Sequence, residues 1–194
     1  MRWLRKLTEI VVTLDNIPRV GWVQRGVPMI CAETIARHTL LTSLIGLVIC
    51  RLYKMLCGNV DCDKMLTMCL LHDLPEANIG NIAGHVRKVI DLRKVEVTEL
   101  ETQLQELEPQ LRNSLGMLYL EYRSGTSIEA ILTTLADKLA TLAMACYYYE
   151  EGKPRVRDLI RYYVDKVREV LMKIPCREFV TRINEIVEEA EREA

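Results

Sequence analysis

Apolar residues near the start of the chain fall at Leu4, Leu7, Ile10, Val11 and Leu14, the three-and-four spacing that turns one helical face toward a core. Asp15-Asn16-Ile17-Pro18 ends that helix. Residues 17–31, IPRVGWVQRGVPMIC, carry two Gly and two Pro and read as an extended loop. A loop of this length inside a compact domain is usually functional. A long apolar helix is expected from Glu33 to near Leu56, closed by Gly58-Asn59, and a short one from near Asp61 to Pro75. Residues 77–89, with Gly80 and Gly84, read as irregular, and 91–108 as a polar helix. Pro109 opens a helix that stops near Ser124-Gly125. Residues 127–151 form the most apolar helix, ended by Gly152; two more run from Pro154 to about Lys173 and from Cys176 to Glu193. The pattern offers no strand and no internal repeat. It predicts an all-α fold of about eight helices in a single domain, 1–194, with 17–31 as a functional loop and 175–194 as a C-terminal helix and tail.

Composition narrows the functional classes. Of 194 residues, 49% are hydrophobic and 27% charged, enough to build a full core. Lys+Arg (26) nearly balance Asp+Glu (27), so the basic excess of a duplex-binding protein is absent, although a small anion needs only a few local cations. Arg5, Lys6, Thr8 and Glu9 interrupt the N-terminal apolar residues, so no signal peptide is expected. The run HTLLTSLIGLVIC has 13 residues. As a helix it reaches roughly 20 Å, short of the ~30 Å hydrocarbon layer, and reads as a buried core helix. A cytoplasmic protein with no membrane partner is the expectation. Seven cysteines occur without a CxxC pair; Cys50, Cys69 and Cys146 lie in apolar runs and read as buried small hydrophobes. An odd count leaves at least one thiol outside any set of internal bridges.

The chemistry gathers on few residues. Of the three histidines, His38 stands in an apolar helix and His72 is followed at once by Asp73; His85 reads as a surface or loop residue. Asp137 interrupts ILTTLADKLATLAMAC, where a carboxylate is costly to bury unless it is paired or binds a metal. Two imidazoles and two carboxylates suit one borderline divalent ion, such as Mn, Fe, Co, Ni or Zn. Such an ion could lower the pKa of a water and neutralise charge on a phosphoryl group.

The order His…His-Asp…Asp resembles the HD-domain superfamily of metal-dependent phosphohydrolases, and within it the 5′-deoxynucleotidase branch. IPRVGWVQRGV (17–27), AETIARH (32–38) and LLHDLPEANIGNI (70–82) carry the likeness, which extends over about residues 1–170. The resemblance implies an HD-type helical fold with His38, His72, Asp73 and Asp137 as metal ligands. It implies Glu76 and the position of Asn81 as catalytic machinery, and Arg19 and Trp22 as contacts to a nucleoside 5′-monophosphate. A guanidinium suits a phosphate, and an indole packed on the sugar disfavours a 2′-hydroxyl by shape. Val20-Gly21 separate Arg19 from Trp22, where bacterial members have the pair adjacent; Arg25 is a competing cation, and Glu33 is expected to anchor the loop by pairing with one of these arginines.

Asn81 departs from the branch's Gly-Asp-Ile, reading Gly80-Asn81-Ile82. It can hydrogen-bond but cannot carry charge or accept a proton. Three consequences stay open: lower activity, another substrate, or binding without turnover. If Asn81 serves to hold the Glu76 segment by hydrogen bonds, restoring Asp is expected to raise turnover. The leading function is hydrolysis of nucleoside 5′-monophosphates, deoxy by preference; a nucleotide-binding sensor, an HD phosphohydrolase of other substrate class and a helical interaction module are the alternatives. The acidic stretch 91–108 and the tail EIVEEAEREA read as solvated faces. Tyr147 to Tyr149 cannot all face inward, and together with the resemblance they point to a homodimer.

Overall fold

The computed structural model describes residues 2–87 and 89–193, apart from the side chains of His85 and Glu193. The expectation for the His85 side chain therefore lies outside the described residues. Among these residues the fold is all-α and contains no strand. Its helices are α1 (Arg2–Asn16), α2 (Val20–Val23), α3 (Ile35–Cys57), α4 (Cys62–Leu71), α5 (Glu76–Ile79), α6 (Gly84–Arg87), α7 (Arg93–Gln103), α8 (Pro109–Ser124), α9 (Ile128–Glu150), α10 (Arg157–Leu171) and α11 (Arg177–Glu193). Eight of them have ten residues or more, as the periodicity predicts; α2, α5 and α6 are single turns too short to leave a periodic signal.

Local chemistry starts and stops these helices where expected. The side chains of Thr34, Asp61 and Ser127 accept backbone N–H groups at the first turns of α3, α4 and α9. Gly125 ends α8 in the left-handed region at φ 64°. Helix α9 is the axle, packed against α3, α4, α8 and α10. Leu132, Leu135, Ala136 and Leu139 of α9 share one core with Met65 and Cys69 of α4, Ile160 and Val164 of α10, and Phe179 and Ile183 of α11. Gly46 lets α3 and α4 approach closely, because a Cβ there would stand 2.7 Å from Cys69 Sγ.

Several expectations need correction. The loop 17–31 is not wholly extended: it contains α2 and a 3-10 turn at Met29–Cys31. Its ends are pinned where Arg19 N–H donates to Glu33 O at 2.9 Å and Ile35 N–H to Ile17 O at 3.0 Å. Helix α7 ends at Gln103, and its acidic stretch is not simply solvated, since Glu96 is only 3% exposed and paired with Arg87 and Arg123. The cysteines are not all buried hydrophobes. Cys50–Cys62 and Cys57–Cys176 form disulfides, with Cys31, Cys69 and Cys146 outside the bridges; burial pushes the Cys69 thiol up to about 12. Helix α3 is a core helix on one face only. Leu40, Leu44, Leu47, Val48 and Met55 form an exposed apolar stripe on it. Both α3 and α9 are long and apolar enough to cross a membrane by length and composition, yet both pack against the remaining helices.

Candidate metal centre and active site

Three helices meet at one end of a cavity of about 520 Å³. His38 comes from the first turn of α3, His72 caps the C-terminal end of α4 with Asp73 next to it, and Asp137 sits mid-way along α9. His38 Nε2 lies 3.1 Å from Asp137 Oδ1 and 3.8 Å from Asp73 Oδ2, and His72 Nε2 lies 3.2 Å from Asp73 Oδ2. One ligand atom from each of His38, His72 and Asp73 falls within 4.8 Å of the others. All four residues expected as ligands are thus brought together.

The donor set fits a divalent ion. His72 donates Nδ1–H to Cys69 O at 2.7 Å, so Nδ1 keeps its proton and Nε2 is the nitrogen that could meet a metal once deprotonated. That Nε2 is buried and faces Asp73 Oδ2 at 3.2 Å without an aligned hydrogen bond among the described residues. A buried acceptor of this kind is costly unless something occupies it. His38 Nδ1 lies 3.7 Å from Glu33 Oε1, itself buried without a partner, so an acceptor stands by when the His38 proton must reside on Nδ1. Burial acts to lower the His72 pKa, but the Asp73 carboxylate outweighs it and pushes the imidazole up to about 9. Burial likewise opposes the charge on Asp73, and the facing His72 holds that carboxyl well below the usual range all the same.

Glu76 opens α5 after Pro75 and is 4% exposed. One carboxylate oxygen pairs with Arg87 and the other accepts from Asn81 Nδ2 at 2.7 Å. Burial and then the Asp73 charge push Glu76 up to about 7, against the pull of Arg87 and Asn81. Asn81 Oδ1 accepts Val20 N–H at 2.8 Å, so this one side chain ties the Glu76 segment to the loop 17–31. These are the contacts that a holding role for Asn81 would use.

Arg19 enters the site from that loop. Its Nη1 donates to Glu33 Oε2 (3.2 Å) and Thr141 Oγ1 (3.2 Å) and stands 3.0 Å from His38 Nδ1. Glu33 therefore anchors the loop on Arg19, while Arg25 pairs with Asp158 at 2.9 Å. Trp22 reaches the cavity wall but is mostly a core residue, 2% exposed, with its indole N–H on Glu33 Oε2 at 3.0 Å and its ring edge-on to Tyr148. Among the cavity residues that sequence reasoning missed are Arg87, Tyr122, Lys138 and Thr141. For Lys138 a signal existed, because a lysine in the most apolar helix stands out as Asp137 does. For Arg87 none did, since its partners Glu76 and Glu96 lie on other helices, α5 and α7.

Comparison with known proteins agrees with this geometry. The HD domain family profile matches residues 11–173. The chain belongs to the HD domain family. Among curated members, the human protein named 5′-deoxynucleotidase HDDC2 is 30% identical over 164 residues, covering 81% of this chain and 74% of the human one. The Dictyostelium discoideum protein of the same name is 28% identical over 162 residues, covering 79% and 80%. Among solved structures, the PH0347 protein from Pyrococcus horikoshii OT3 superposes with a TM-score of 0.78 at 26% identity, over 98% of this chain and 99% of that one. A predicted metal-dependent phosphohydrolase from Magnetospirillum magnetotacticum MS-1 shares the fold at a TM-score of 0.65 and 18% identity, over 98% and 94%.

Proposed function

We propose that this HD-family chain is a metal-dependent phosphomonoesterase that hydrolyses nucleoside 5′-monophosphates, 2′-deoxyribonucleotides by preference, to nucleoside and phosphate. The observation that carries the reading is the His38–His72–Asp73–Asp137 cluster beside Glu76 in a cavity lined by cations. His38, His72, Asp73 and Asp137 would hold one divalent ion, of the Mn, Fe, Co, Ni or Zn class. Such an ion supplies Lewis-acid stabilisation of phosphoryl charge and a more acidic water.

The chain's own residues supply the rest. Glu76, with its pKa near neutrality, takes a proton from the attacking water and returns one to the leaving alkoxide. Asn81 fixes which Glu76 oxygen is engaged. Arg19, kept charged and held by Glu33, meets the phosphate. Trp22, buried in the cavity wall, shapes the sugar side. The test is phosphate release from a panel of ribo- and deoxyribonucleoside monophosphates, with Mn, Co, Ni, Zn and Mg each supplied to metal-free protein. Deoxynucleotides are expected to turn over fastest; nucleotide binding without release under every metal would favour the sensor reading.

The exposed apolar stripe on α3 supports a homodimer, with Tyr147, also exposed, as a further apolar surface on α9. Light scattering should give twice the 22.4 kDa chain mass. A monomer at all concentrations would refute this part of the reading.

A further inference from the structure

Lys138 follows Asp137 in α9, and its Nζ stands 2.6 Å from Asp137 Oδ2. Its side chain lines the same cavity as Arg19 and Thr141. We propose that Lys138 is a phosphate-binding residue of this cavity, its ammonium contacting the phosphate of a phosphomonoester substrate; the inference rests on the phosphohydrolase reading above.

The argument lies in how the cations of the cavity are held. Arg19 is bound to the wholly buried Glu33, Arg25 to Asp158, and Arg87 and Arg123 to the buried Glu96. Each of those carboxylates lies outside the expected metal ligand set. The partner of Lys138 is different, because Asp137 belongs to that set and its other oxygen already faces His38 at 3.1 Å. A carboxylate engaged by a divalent cation has less charge to share with a lysine. The Lys138 ammonium would then be the cavity cation with the least compensated charge, next to where a phosphate must sit to reach the ion. A lysine suits this task, being a compact charge with three rotatable donors on a flexible stem. The Lys138 side chain is 28% exposed, so its ammonium can be reached from the cavity.

The test is calorimetric titration of Co-loaded protein with inorganic phosphate, alongside metal content of each sample. Lys138→Met and Lys138→Gln should weaken phosphate binding tenfold or more and retain one metal per chain. Lys138→Arg, which keeps the charge, should stay within about threefold of the wild type. Phosphate affinity within twofold of wild type in the neutral variants would overturn the inference. So would loss of metal from them, which would make Lys138 an orienter of Asp137. Wild-type protein that binds metal but no phosphate would instead refute the phosphohydrolase reading, and this inference with it.

Discussion

Asn81 donates its carboxamide N–H to Glu76 at 2.7 Å while its oxygen takes the backbone N–H of Val20 at 2.8 Å. The Val20 N–H only donates, so it must face Asn81 Oδ1, which turns Nδ2 toward Glu76 and determines the amide orientation. An aspartate at this position keeps the Val20 bond but sets a second carboxylate against Glu76. Two carboxylates at that distance share one proton, and the pair resists ionisation.

This reverses the expectation that restoring the family aspartate speeds the reaction. Glu76 must be ionised to accept a proton, so kcat/KM should rise with pH through a midpoint near 7 in the wild type. In Asn81→Asp the midpoint should move up by about one unit, slowing the reaction at pH 7 roughly fivefold and restoring it in alkali. Glu76→Gln should cost about a hundredfold or more and remove the limb. A pH–rate profile of the three proteins decides; an Asn81→Asp protein faster than wild type at pH 7 would contradict the assignment.

Arg19 carries a stability role alongside any contact with phosphate. It is the cation beside Glu33, a carboxylate with 0% side-chain exposure. Arg19→Ala leaves that charge buried and unpaired, at a cost of about 3 kcal/mol. Urea unfolding of metal-free protein should report this loss, and Arg19→Ala/Glu33→Gln should recover part of it. If Arg19→Ala is as stable as the wild type, the pair does not hold the loop.

The disulfides should be visible in solution. Denatured, unreduced protein should expose three thiols, Cys31, Cys69 and Cys146. Cys57–Cys176 spans 119 residues and ties α11 to α3. Closing a loop of that size stabilises by roughly 4–5 kcal/mol in the chain-entropy view, so reduction should lower Tm by on the order of 10 °C. Seven titratable thiols, or a Tm indifferent to reductant, would exclude the bridges.

Much of this molecule is legible in its sequence, for identifiable reasons. Of the eight longer helices, all but α7 show because each presents an apolar face at helical spacing between Gly, Pro and capping residues. His38, His72, Asp73 and Asp137 stand out because polar side chains in apolar helices need a partner; the fold gathers the first three at one point and sets Asp137 3.1 Å from His38. Cysteine pairing is not written in spacing, so Cys50–Cys62 and Cys57–Cys176 were hidden. Glu96 misled because α7 is polar on every side, and its burial depends on Arg87 and Arg123 arriving from other elements. Trp22 is the subtlest case: the loop motif marks it, but only the fold reveals that its indole N–H serves Glu33.

The central claim is that a divalent ion at His38, His72, Asp73 and Asp137 makes this chain a nucleotide phosphohydrolase. The most direct test strips the protein of metal and follows phosphate release from a deoxyribonucleoside 5′-monophosphate as Mn or Co is titrated back, in wild type and Asp137→Ala. The account predicts no release without metal, saturation at one ion per wild-type chain, and a loss of at least about a thousandfold in the variant. Equal release by stripped protein, or by Asp137→Ala, would contradict it.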